Sequence, residues 1–248
     1  PKEGLEDEFG RPLQEGFSQT IKLADRKPNY TMTHREAVLE KQADSEVPLY
    51  VNNLKSVTLT YQLLTCKDVL KSQVMTYTIP SVSNVQFAIP LHLRKLLNGQ
   101  SGVVYGSLEA DPNVKKGGYE DEEKILFAQV TPYQVQVKMG HFNALVWVTD
   151  LATGKPVKGA NVTIYTGVLY DLQRPETILT SGVTNENGVA ILDGQEKIDP
   201  KMKKAYVGSK YKERLLVLVE KADEMALLPL TSRFEIDTYQ SSGEKFWS

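Results

Sequence analysis

The sequence predicts an all-β protein of tandem antiparallel β-sandwiches, laid out like immunoglobulin or fibronectin type III modules, with one short helix in the first. Three observations carry that expectation. Apolar and polar residues alternate with the two-residue period of a pleated strand in many short segments. Turn residues separate these segments at intervals of ~8–12 residues, the spacing of a sandwich rather than a helical fold. Helical spacing is confined to a stretch after Pro90, where Leu93, Leu96 and Leu97 precede an Asn98-Gly99 stop.

The clearest unit is HFNALVWVTDLATGKPVKGANVTIYTG, from His141 to Gly167. Ala144, Val146 and Val148 alternate with Leu145, Trp147 and Thr149. Gly154, Pro156 and Gly159 punctuate the reversal, and Val162 and Ile164 resume the alternation. A unit of this kind is used for holding and binding more than for chemistry.

Four divisions follow. Residues 1–27 read as the end of a preceding domain and a linker, with Phe17–Leu23 (FSQTIKL) alternating as a last strand would. Residues 28–131 form a first sandwich, with strands expected at Val47–Val51, Ser56–Leu64, Val74–Ile79, Val85–Ile89, Gly102–Glu109 and Lys124–Val130. Residues 132–237 form a second, with strands expected at Gln134–Lys138, Ala144–Thr149, Ala160–Thr166, Ile178–Val183, Val189–Leu192, Leu215–Glu220 and Met225–Pro229. Within it, Thr184–Gly188 reads as a turn whose glycine takes positive φ without a steric penalty. Residues 238–248 read as a further linker. Pro132 holds Thr131 extended, which limits swivelling where the sandwiches join.

Composition narrows the function. The 248 residues are 41% hydrophobic and 24% charged, enough to bury cores without metal or disulfide staples. The formal net charge of −2 supplies no basic excess for a phosphate backbone, so no nucleic-acid partner is expected. Cys66 is the single cysteine, which excludes an intrachain disulfide and favours a bacterial or cytosolic origin over a metazoan secreted one. No run approaches the ~20 apolar residues that span a bilayer, and the acidic N-terminus carries no signal peptide. The chain starts without Met and reads as a fragment of something longer, so the missing signal says nothing about where the parent resides.

Chemistry-bearing constellations are not expected. His34, His92 and His141 fall in three different elements without ligand spacing. The acidic run Glu120-Asp121-Glu122-Glu123, near Asp111, lacks the alternating ligands and tight glycine turn of a calcium loop and reads as solvated. Cys66 has only Lys67 beside it, too little to activate a thiolate. Trp147, mid-strand among valines, reads as a core or interface anchor. Asn29-Tyr30-Thr31 and Asn161-Val162-Thr163 match the N-glycosylation triplet, which matters only in a eukaryotic secretory pathway. No catalytic, cofactor-binding or metal-ligating residue is assigned, and neither an enzyme activity, a cofactor nor a small-molecule substrate is expected.

Four stretches resemble the bacterial α2-macroglobulin family of large periplasmic or surface lipoproteins that trap proteases. DEFGRPLQEGFSQTIKL (7–23) looks like the end of the domain before the macroglobulin-like array, and VPLYVNNLKSVTLTY (47–61) is similar to the opening of a macroglobulin-like domain. Val130–Tyr165 resembles the start of the next one, and LVLVEKADEMALLPL (216–230) its end. The resemblance implies a non-catalytic scaffold portion of an endopeptidase inhibitor. Its partners would be neighbouring domains of the parent and, through the whole protein, target endopeptidases. It also implies a periplasmic or cell-surface location with a lipid-anchored parent. The family's C-x-E-Q thioester is not here, since Lys67-Asp68-Val69 follow Cys66.

Two other readings stay open: an adhesion or stalk module of a bacterial surface protein, and a carbohydrate-binding accessory domain. A stalk would have a uniformly polar surface, a scaffold an apolar patch for its neighbours, and a sugar-binding domain a flat row of exposed aromatics.

Overall fold

A computed structural model describes residues 6–12, 19–114, 124–204 and 213–230. The first sandwich packs a three-stranded sheet against a five-stranded one. The smaller sheet has the order β1-β3-β6, from Asn29–Met32, Val47–Asn52 and Phe87–Leu91. The larger has the order β2-β8-β7-β4-β5, from Glu36–Glu40, Ile125–Thr131, Gly102–Asp111, Ser56–Thr65 and Val69–Thr78. Their inner faces close over Leu49, Val51, Val57, Leu59, Val104, Leu108 and Leu126, with helix α1 (Leu93–Leu96) plugging one end through Leu93.

The second sandwich sets sheet β13-β10-β9 (Val189–Asp193, Asn143–Asp150, Tyr133–Met139) on sheet β12-β11-β14-β15 (Ile178–Val183, Asn161–Gly167, Arg214–Lys221, Glu224–Pro229). Between them lie Val135, Val146, Val148, Val162, Ile164, Val217 and Val219. β-branched side chains dominate this core because they pack well on pleated surfaces. Gly188 takes φ +73° in the Asn185–Gly188 turn, as expected. A Cβ there would stand 2.4 Å from the Val148 carbonyl oxygen, so both conformation and space demand glycine.

The all-β fold stands as the sequence predicts, and Ile178–Val183 matches the expected strand residue for residue. Some elements differ. Strands β1 and β2 were not expected, and β2 pairs parallel with β8 in an otherwise antiparallel architecture. Strand β5 begins five residues before the expected Val74, because as an edge strand it carries an exposed polar segment that does not read as strand. A second one-turn helix, α2 (Gln195–Ile198), sits in the second sandwich. Residues 19–23 alternate but form no strand, and Ile21 and Leu23 are exposed; Phe17 and Ser18 lie outside the described residues.

Two irregularities interrupt the ladders. The β4–β5 register slips between Tyr61↔Gln73 and Leu63↔Leu70, leaving Lys71 and Ser72 bulged, with Ser72 at φ 57°. A bulge on an edge strand blunts the edge and turns its side chains aside. In β12 the extra residue Leu179 falls opposite the Ile164/Tyr165 step, while β11 stays in register with β14 and its alternation puts Tyr165 on the outer face.

Candidate functional site

The outer faces of the two larger sheets meet in a seam with its own buried cluster. From the first sandwich come Leu64, Val103, Tyr105 and Phe127. From the second come Tyr165, Leu172, Leu216, Leu218, Met225 and Leu227. Strand β14, RLLVLVEK, shows how the sequence builds this. Leu215, Val217 and Val219 face the inner core while Leu216 and Leu218 face the seam, so the first six residues are all buried. A strand covered on both faces reads as a continuous apolar run instead of an alternating one.

Two glutamines clamp backbone across the seam. Gln129, buried on β8, donates from Nε2 to the Leu227 carbonyl at 3.1 Å and accepts from the Leu227 N–H at 3.0 Å. Leu227 lies on β15, an edge strand whose outward backbone groups have no neighbouring strand. The amide therefore stands in for a missing strand. Gln62 on β4 accepts from the Leu172 N–H at 2.8 Å and donates to the Tyr170 carbonyl. Beside it the bulged Lys71 meets Asp171, whose carboxyl is held below the usual range first by Lys71 and then by Gln173.

Charged groups rim the cluster. Glu224 accepts from Lys41 Nζ and from the fully buried Ser101 hydroxyl, and that hydroxyl accepts from the Met225 N–H at 3.2 Å. Arg174 reaches Glu220 at 2.6 Å and the Thr65 carbonyl at 3.4 Å. Half-buried Cys66 packs on the cluster, and burial, then the Glu220 carboxylate, pushes its thiol up to about 11. That is the reverse of an activated thiolate.

The junction is short and tied down. Only Pro132 separates β8 from β9. Thr131 Oγ1 accepts from the Tyr133 N–H at 3.0 Å, the Pro132 carbonyl accepts from the Leu151 N–H at 2.8 Å, and Tyr133 donates its hydroxyl to the Lys221 carbonyl at 3.4 Å. Next to the Gln62 clamp lies an open cleft of about 530 Å³ lined by Thr60, Lys71, Tyr105, Ser107, Tyr170 and Asp171.

The histidines stay apart. His34 is exposed in the bend between β1 and β2, and His92 precedes α1. His141 in the β9–β10 turn stands 3.8 Å from Glu196. Among the described residues no group of three or more His, Cys, Asp or Glu side chains could hold a metal. The acidic run 120–123 lies outside the described residues. Trp147 does not enter the core; it stands 40% exposed on the outer face of β10. The seam glutamines escaped sequence reading, although the apolar runs of β8 and β14 were its visible trace.

The two β-sandwiches, tied face to face, have the macroglobulin-like all-β fold. Residues 130–245, just under half of the chain, match the bacterial alpha-2-macroglobulin MG3 domain. No curated protein matches the sequence significantly. Among solved structures, native alpha-2-macroglobulin from Escherichia coli spanning domains MG0-NIE-MG1 is similar at TM-score 0.55 and 15% identity, over 89% of this chain and 70% of that one. The NIE-MG1 portion of the same protein is similar at TM-score 0.54 and 13% identity, over 82% of this chain and 97% of that one. The native conformation of Escherichia coli alpha-2-macroglobulin is similar at TM-score 0.51 and 14% identity; 92% of this chain aligns, and it spans 14% of that protein. At such identities the likeness is one of fold. No helix among the described residues is long and apolar enough to cross a membrane.

Proposed function

We propose that this chain is a non-catalytic scaffold portion of a bacterial alpha-2-macroglobulin-like inhibitor that traps endopeptidases in the full-length protein. The observation that carries this reading is the seam, where an apolar cluster, two amide clamps and a one-residue junction join the sandwiches. A trap that closes on a captured enzyme needs parts that move as bodies, and close-packed sheets resist deformation. The working units are residues 28–131 and 132–237, with 1–27 ending a preceding domain and 238–248 leading onward. Their partners are neighbouring domains of the parent and, through the whole inhibitor, endopeptidases. The location is periplasmic or cell-surface, with the parent lipid-anchored.

The exposed apolar residues Trp147 and Ile191 favour this reading over a stalk, whose surface would be polar throughout. The test is to incubate the parent polypeptide with an endopeptidase. Expected is a stoichiometric complex in which the enzyme still cleaves small substrates but not proteins. The 248-residue chain alone neither inhibits nor hydrolyses. A parent that forms no complex, or a chain that inhibits by itself, overturns the reading.

A further inference from the structure

We propose that the outward face of sheet β13-β10-β9 docks a further β-sandwich module of the same polypeptide, seated on Leu145, Trp147, Val189 and Ile191. Strands of this chain that are apolar on both faces are covered on both. In β14 the inner core takes one row and the seam takes Leu216 and Leu218; in β8 they take Leu126 and Ala128 on one side and Phe127 on the other. Strand β10, NALVWVTD, has the same pattern. Ala144, Val146 and Val148 are fully buried inward. Its outward row holds Leu145 and Trp147, paired with Ile191 and Val189 of β13. Yet Trp147 is 40% and Ile191 62% exposed.

These four side chains form a two-by-two apolar block where a solvated antiparallel sheet would be polar. Gln136 and Lys138 pair with Trp147 and Leu145 from β9, and Asn143 and Asp193 pair beyond the other end, giving a polar rim around an apolar centre. The block is a sheet face rather than a groove, so its complement is another sheet face stacked about 10 Å away. That is how the seam joins the sandwiches of this chain. The block lies on the opposite side of the second sandwich from the seam, so a module seated there continues the stack.

The occupant is a module in cis because, on the scaffold reading, this chain is one part of a longer polypeptide; the similar native Escherichia coli protein is spanned to 14% by it. The inference rests on that reading.

The test introduces Ile191→Cys and follows maleimide labelling in the 248-residue chain and in the parent, with Cys66 as the slow internal reference. Expected is labelling at least tenfold slower in the parent, restored by adding Trp147→Lys, and amine cross-links from Lys138 to residues outside 1–248. Trp147→Lys should leave the circular dichroism of the 248-residue chain unchanged. Equal labelling in both proteins overturns the proposal. So does a 248-residue chain that sediments as a dimer broken by Trp147→Lys, which would make the occupant a second copy. Equal labelling in a parent that still traps endopeptidases defeats this inference and leaves the scaffold reading standing. Slow labelling in a parent that traps nothing does the opposite.

Discussion

Gln129 and Leu227 are joined as two strands would be, the side-chain amide of one giving and taking a hydrogen bond with the backbone of the other. A buried peptide edge is costly without such a partner. Gln129→Leu keeps the bulk and removes both bonds, leaving the Leu227 N–H and carbonyl unsatisfied. A loss of about 1–3 kcal/mol is expected from urea unfolding. An unchanged midpoint would show that the amide contributes nothing to the seam.

Leu218 is 1% exposed in the middle of the seam. Leu218→Ala should cost about 2–5 kcal/mol, the range for opening a cavity in a packed core. Because the seam couples the sandwiches, calorimetry of the unaltered chain should show one transition. Leu218→Ala combined with Leu227→Ala should split it in two. One undivided transition in the double variant would contradict the coupling.

Two neighbouring acids should behave differently. Asp223 pairs with Lys67 at 3.2 Å with both side chains mostly exposed, so Asp223→Asn should change stability by only about 0–1 kcal/mol. Glu224 accepts from Lys41 and from buried Ser101. Glu224→Ala strips the acceptor from a hydroxyl without access to water and should cost about 1–3 kcal/mol. Equal effects in thermal denaturation would remove the distinction between rim and seam.

Cys66 reports on the seam from its edge. Its thiol is raised from 9.0 to about 11, so alkylation at pH 8 should run roughly 100-fold slower than for a free thiol. The folded state holds the proton more tightly than the unfolded one. Its stabilising effect is therefore complete below pH 9 and is lost as pH rises through about 11. Tyr133, pushed up to about 12 by its own burial, acts in the same direction at slightly higher pH. Melting temperature should fall across this window, and Leu218→Ala should speed Cys66 alkylation at pH 8. Alkylation at the free-thiol rate in the intact chain would show that Cys66 is not packed there.

Much of the fold is legible because a strand announces itself within its own length. Ala144, Val146 and Val148 alternate with Leu145 and Trp147, and they are a strand with the first three side chains inward. The reading breaks down where a strand's environment is set from elsewhere. Thr20 to Leu23 alternate as well, but no sheet receives them among the described residues, and Ile21 and Leu23 stand in solvent. Strand β5 reads as half loop because its bulge and edge position let polar side chains face water. Gln129 is opaque for a related reason. A lone glutamine between Ala128 and Val130 reads as one solvated outward residue, whereas its partner lies 98 residues further along.

Alone, the order of residues determined that this chain makes sheets, where most strands run and that Gly188 must turn. Those properties are local, set by the pleat and by backbone sterics within a few residues. Which outer faces meet, which glutamine clamps which backbone, and that Trp147 faces outward were decided only when strands about a hundred residues apart came together. A side chain carries no mark of what will cover it; that depends on which surfaces exclude water in the assembled molecule.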